Sequence, residues 1–216
     1  MLFQQDTLAL DFPRVEPVPN GKVVLVWGGA SAVGTNGIQM LKAAGYRVAA
    51  IAGSNNQQYC TDLGANYAFD YRKPGVVAEI IQTLKNVPFA GVFCAVMAPE
   101  TIKACARIAS QLGDNSKNKV VVTSLAHSMK FEGEVPEGFP SSALVMIGNL
   151  GWADSLKDNE VGPAIWDRWL TPALENGTMK CRPEPGVVGK GLESIQGALD
   201  LQARGVSAKK LVVEIV

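Results

Sequence analysis

The run from Gly21 to Gly45 constrains the fold more than any other part of the sequence. Val23-Val-Leu-Val-Trp27 is short, apolar and β-branched, the pattern of a strand buried on both faces. A turn of small residues follows, Gly28-Gly29-Ala30-Ser31-Ala32-Val33-Gly34. Ile38, Met40, Leu41 and Ala44 then recur on helical spacing until Gly45 stops the helix. Strand, tight turn, helix presents unpaired first-turn N–H groups and the positive end of a helix dipole to an anion, and a pyrophosphate suits that position. A strict G-x-G-x-x-G fingerprint would put glycine at 29, 31 and 34, and position 31 is Ser31. The serine narrows backbone approach while offering a hydroxyl to a phosphate oxygen. An ordinary packing turn of an α/β domain is the competing reading.

The next strand bears on the choice. Tyr46-Arg-Val-Ala-Ala-Ile-Ala-Gly-Ser54 is again short and apolar, and it ends about 20 residues past the loop, where a dinucleotide's ribose is read. An Asp or Glu there would suit NAD(H). The chain instead has Gly53, Ser54, Asn55, Asn56 and Gln57, neutral groups that leave room for a 2′-phosphate and favour NADP(H). Tyr59, Tyr71 and Arg72 are candidate helpers, with Lys73 a weaker one.

Lys plus Arg and Asp plus Glu each total 20 residues, so charge suggests neither a nucleic-acid nor a membrane partner. The apolar runs are strand-sized, short of the roughly 20 residues of a membrane span, and the opening residues lack a signal-peptide pattern. Cys60, Cys94, Cys105 and Cys181 are scattered and His127 is the single histidine. That points to free thiols in a reducing, cytoplasmic compartment and to no metal site.

Along the chain, Asp11 to Pro19 carries three prolines and reads as an extended connector. Further strands are expected at Tyr67–Tyr71, Ala90–Val96, Lys119–Ser124 and Ser142–Ile147, with helices at Asn55–Leu63, Val76–Leu84 and Pro99–Leu112. Alternating strands and helices imply a parallel sheet. Val161 to Asn176 is a helix with Trp166, Trp169 and Leu170 on its apolar face. Lys180 to Val188 is extended, and Leu192 to Arg204 is amphipathic with Ile195, Leu199 and Leu201 facing inward. Lys209 to Val216 is a closing apolar strand.

Val24-Leu-Val-Trp-Gly-Gly-Ala-Ser-Ala-Val-Gly34, Leu63-Gly-Ala65 with Phe69-Asp-Tyr-Arg72, Trp169 to Gly177, and Gly191 to Ile195 followed by Ser207 to Val213 occur in one order over most of the chain. With them the chain resembles the medium-chain dehydrogenase/reductase superfamily, on the zinc-independent quinone reductase and fungal trans-acting enoyl reductase branch. The resemblance implies an α/β, Rossmann-type doubly wound parallel sheet over residues 21–178. Residues 1–20 would be a link, and 179–216 a helix–strand remnant of the family's separate catalytic domain, most of which precedes the link in such proteins. It also implies NADP(H) roles: Gly28, Gly29, Ala30, Ser31, Ala32, Val33 and Gly34 on the pyrophosphate, and Ser54, Asn55, Tyr59 and Tyr71 towards the 2′-phosphate. Cys94, Val96, Ser124 and Leu125 would border the riboses.

Three functions follow as expectations. One is reduction of an enone, enoyl thioester or quinone, since the cofactor carries that chemistry and the fold positions it. A second is non-redox cyclisation or isomerisation of a small apolar substrate on the same scaffold. A third is a binding module, forming a homodimer through the strand at 142–147. No catalytic residue is assigned; Tyr59, Tyr71, Ser124 and His127 could donate a proton.

Overall fold

A computed structural model of the chain describes residues 2–5, 7–113, 120–122, 144–146 and 160–215. Its centre is a six-stranded sheet in the order β3-β2-β1-β4-β5-β6, with every pairing parallel. The strands are β1 (Val23–Trp27), β2 (Arg47–Ala52), β3 (Tyr67–Asp70), β4 (Phe89–Cys94), β5 (Val120–Val122) and β6 (Leu144–Met146). Between them run helices α1 (Ala32–Ala43), α2 (Gln57–Asp62), α3 (Val76–Leu84) and α4 (Pro99–Leu112). This is the parallel α/β sheet expected from the alternation of apolar runs and helical periods, doubly wound as the family resemblance implies. The order reverses direction at β1, so β1 and β4 flank the switch point where ligands of such sheets bind.

The period-2 alternation of the strands divides the core into two layers. Val24, Val26, Val48, Ala50 and Phe93 face one side, with Ile38 and Leu41 of α1 and the buried Trp169. Val23, Leu25, Trp27, Ile51 and Val92 face the other, with Ile80 and Leu84 of α3 and Ile102 and Ile108 of α4. All five residues of β1 are buried, as a strand covered on both faces requires. Gly37 lets α1 lie close to the sheet: a Cβ there would sit 3.0 Å from the Phe93 ring.

Several segments differ from the expectations above. The chain before Asp11, expected to be part of a link, makes a turn and packs on the core. Thr7 and Ala9 donate backbone hydrogen bonds to the Gln4 carbonyl, and Leu2, Phe3, Leu8 and Leu10 are buried in the first core layer. Residues 11–20 carry no regular element. The helix predicted at Asn55 begins as a 3-10 turn, Ser54–Asn56, before α2. The helix predicted over Val161–Asn176 is a π-helical stretch, Pro163–Leu170, that continues into α5 (Thr171–Glu175). Within it Trp169 is buried, but Trp166 is 67% exposed and so lies off the apolar face.

Residues 185–214 form a two-stranded parallel sheet, β7 (Pro185–Lys190) with β8 (Lys210–Glu214), joined through α6 (Ile195–Ala203). Here the amphipathic reading fails. Ile195, Leu199 and Leu201, expected to face inward, are all exposed, and α6 buries no residue. Their spacing is helical, but the two strands beside α6 offer too little surface to cover them.

Candidate functional site

The loop after β1 is held by Ser31. Its hydroxyl donates to the Gly28 carbonyl at 2.8 Å and accepts from the Gly34 N–H at 3.0 Å, so it is the N-cap of α1 and ties the turn together. The hydroxyl expected to reach a phosphate is therefore committed to the loop. What the loop offers an anion instead is backbone. As first-turn residues, Ala32 and Val33 have N–H groups without intrahelical acceptors, and both residues are exposed.

The glycines explain the loop's close approach. Gly28 has φ +83°, and a Cβ there would lie 2.8 Å from Val96 Cγ2. A Cβ on Gly34 would lie 2.2 Å from the Gly28 carbonyl oxygen, so only glycine lets the first turn of α1 rest on the loop. Gly29 is packed rather than open: its Cβ would meet Cys60, Ala50 and Ile38 at 3.1–3.3 Å.

From this loop a groove of about 400 Å³ runs over the ends of β1, β2 and β4. Trp27, Gly28, Ala30 and Ser31 line one part, Gly53, Asn56, Tyr71 and Arg72 the far end, and Val96 with Thr101 the wall beyond β4. Arg72 Nε donates to the Tyr71 hydroxyl at 3.2 Å, and its guanidinium sits 5.3 Å from the Tyr71 ring centroid. The pair forms a cationic shelf where the second strand's acid would stand in an NAD(H) site. Lys73 is turned away, paired with Glu79 at 2.8 Å.

The remaining sequence candidates are distributed differently. Ser54 and Asn55 are exposed on the 3-10 turn outside the groove lining, whereas Asn56 lines it. Tyr59 packs against the core with its hydroxyl buried and without a hydrogen-bond partner among the described residues, and burial raises its pKa above the ordinary tyrosine value. Cys94 is buried beneath the groove, where its thiol donates to the Val96 carbonyl at 3.1 Å, and only Val96 reaches the lining. Ala32, Val33 and Gly34 lie beside the groove at the start of α1, and Ala32 lines a neighbouring cleft with Ala30 and Ser31. Ser124, Leu125 and His127 fall outside the described residues.

One part of the site has no signal in the sequence. Val206, Ser207 and Ala208, from the turn before β8, close one side of the groove. Among the described residues no three His, Cys, Asp or Glu side chains are grouped to hold a metal ion. No helix of the described residues is long and apolar enough to cross a membrane.

The comparisons with known proteins agree with this geometry. The family described as zinc-binding dehydrogenase matches residues 32–128. The chain is 38% identical over 215 residues to the dehydrogenase orf1 of Aspergillus niger, covering 99% of this chain and 59% of that protein. It is 31% identical over 208 residues to the trans-enoyl reductase himH of Aspergillus japonicus, covering 96% and 56%. The chain thus spans less than two thirds of these relatives. Among solved structures, the CurK enoyl reductase superposes with a TM-score of 0.68 at 18% identity, covering all of this chain and 58% of that one. CurA from Vibrio vulnificus, in complex with NADPH, superposes with a TM-score of 0.63 at 21% identity, covering 92% and 58%. The described residues do not fit the zinc site that the family's description names. The order of motifs and these relatives make the chain similar to fungal dehydrogenases and trans-enoyl reductases, and its β3-β2-β1-β4-β5-β6 sheet has the fold of the medium-chain dehydrogenase/reductases.

Proposed function

We propose that the chain binds NADPH in the groove at the β1/β4 switch point and is the cofactor-holding part of a reductase for polarised double bonds. The observation that carries this reading is the far end of the groove, where Gly53, Asn56, Tyr71 and Arg72 meet with no carboxylate among the lining residues. A 2′-phosphate is attracted there by Arg72, whereas an acid would repel it. The first-turn amides of Ala32 and Val33 hold the pyrophosphate, and Ser31 holds those amides in place from behind. Trp27 and Val96 exclude water from the middle of the groove. NADPH supplies the hydride when bound.

The substrate class, an enone, enoyl thioester or quinone, is proposed from the relatives that bear the trans-enoyl reductase name. Pairing of two copies through β6, an outer strand of the sheet, is proposed with it, as is a cytoplasmic setting. The test is a titration of the purified chain with NADPH, read by tryptophan fluorescence from Trp27 in the groove wall. Saturation at micromolar concentration is expected, and no saturable signal up to millimolar NADPH overturns the proposal. Steady NADPH oxidation with a panel of enones and quinones then separates a working reductase from a cofactor-binding chain.

A further inference from the structure

Two of the residues that α1 buries are polar, Thr35 and Gln39, four apart on one face of the helix. A buried amide is costly unless its groups are paired. Those of Gln39 are paired. Its Nε2 donates to the Lys180 carbonyl at 3.1 Å and to the Thr35 carbonyl at 3.2 Å, and its Oε1 accepts from the Lys180 N–H at 2.7 Å. The Thr35 hydroxyl shares its proton between the Arg182 carbonyl at 3.1 Å and the Ala32 carbonyl at 3.0 Å. Residues 180–184 are neither helix nor strand, so their backbone groups need partners from elsewhere. Gln39 meets both backbone groups of Lys180, as a residue of a neighbouring strand would.

The segment held in this way leads to the wall of the groove. The Glu184 carbonyl accepts from the Lys210 N–H at 3.1 Å, and Pro185 is in register with Lys210. Val206, Ser207 and Ala208, just before Lys210, line the groove. Pro183 and Val206 also share one cleft with Ala30, Ser31 and Ala32 of the loop. Pro183 is the last buried residue of the described chain, and none is buried from Glu184 to Ile215. Apolar packing therefore does little to fix β7, α6 and β8 against the six-stranded sheet, and directional polar contacts carry their placement. Those of Thr35 and Gln39 come from the helix whose first turn faces the same groove.

We propose that Gln39, with Thr35, is a positioning residue for the groove. It fixes the segment 180–182 on α1 and, through Glu184 and Lys210, holds the 206–208 wall at the separation from the loop that a bound dinucleotide requires. The effect on affinity rests on the NADPH reading; the placement of the wall does not.

The experiment compares backbone amide resonances and NADPH titrations of the 216-residue chain with those of Gln39→Leu, similar in size and without polar atoms. Without ligand, the resonances of Lys180 and of 206–208 should shift or broaden, while those of β2 and β3 hold. NADPH should bind roughly fivefold more weakly, a loss of the size that changes along a coupled network produce. Thr35→Val should act the same way more weakly, and Thr35→Ser, which keeps the hydroxyl, should restore the parent's spectrum and affinity. A Gln39→Leu chain that melts earlier but binds NADPH as the parent does would make the amide a part of the fold only, and overturns the proposal. So do spectral changes confined to the neighbours of positions 39 and 180. If Gln39→Leu does not fold, Thr35→Val decides, and parental affinity with parental 206–208 resonances overturns the proposal. A parent chain that binds no NADPH sinks the dinucleotide reading alone, and the ligand-free spectra then decide whether Gln39 places the wall.

Discussion

The Asn56 side-chain amide donates a hydrogen bond to Ser207 Oγ at 2.7 Å, joining the 3-10 turn after β2 to the turn before β8 across 151 residues of chain. Asn56 and Ser207 both line the groove at the β1/β4 switch point, so the C-terminal turn is one wall of the site rather than a neighbour of it. A ligand that fills the groove must contact this wall. Hydrogen exchange of a peptide spanning 205–210 should therefore slow when NADPH is added, because ligand-stabilised segments open less often. Unchanged exchange there, at a saturating NADPH concentration, would show that the turn plays no part in binding.

Ser31 separates the loop's stability from its ligand affinity. Ser31→Ala removes the N-cap and should cost about 1 kcal/mol of stability. Ser31→Asp keeps the capping acceptor and loses only the donation to the Gly28 carbonyl, so the melting temperature should fall less than in Ser31→Ala. It also puts negative charge where the pyrophosphate is proposed to sit, and NADPH should bind roughly tenfold more weakly, a difference of about 1.4 kcal/mol. An aspartate variant with parental NADPH affinity would move the pyrophosphate away from α1.

Thiol labelling gives an independent check on the core. Cys60, Cys94 and Cys105 are buried and Cys181 is exposed. Under native conditions a disulfide reagent should label one thiol per chain within minutes and the other three only after denaturation. Replacing Cys181 by serine should abolish the fast phase; a fast phase of two or more thiols would contradict the packing beneath the groove.

Cys60 also predicts a pH dependence. Burial pushes its thiol from 9.0 up to about 11. The folded state holds the proton more tightly, so the stability linked to Cys60 is fully present below pH 9 and is lost as pH rises from about 9 to about 11. Two pH units correspond to about 2.7 kcal/mol at most. Denaturant melts of Cys60→Ala should show a shallower decline over that window than the parent chain, and parallel declines would contradict the assignment.

The parts of this molecule that could be read from its sequence are those held by local periodicity. Val23–Trp27 and Arg47–Ala52 announce themselves as buried strands because both faces of a parallel sheet are covered, and Gly34 marks the loop because nothing larger fits against Gly28. Contacts distant in sequence were out of reach. No pattern ties Ser207 to Asn56, and none shows that the Ser31 hydroxyl would be used within its own turn. Arg72 could be named as a helper, but its place over Tyr71 depends on how the chain leaves β3. Periodicity also misleads where the partner surface is small. Ile195, Leu199 and Leu201 have the spacing of an inward face, and a two-stranded sheet leaves them exposed.

The most direct test of the central reading is the ratio of NADPH to NADH affinity, measured by fluorescence titration in the parent chain and in Arg72→Met. With Arg72 at the 2′-phosphate, the parent should prefer NADPH by roughly tenfold or more, as one charge-assisted contact to a phosphate allows. The substitution should remove most of that preference by weakening NADPH alone. Equal affinity for the two cofactors in the parent, or a parallel loss of both in Arg72→Met, would contradict the account.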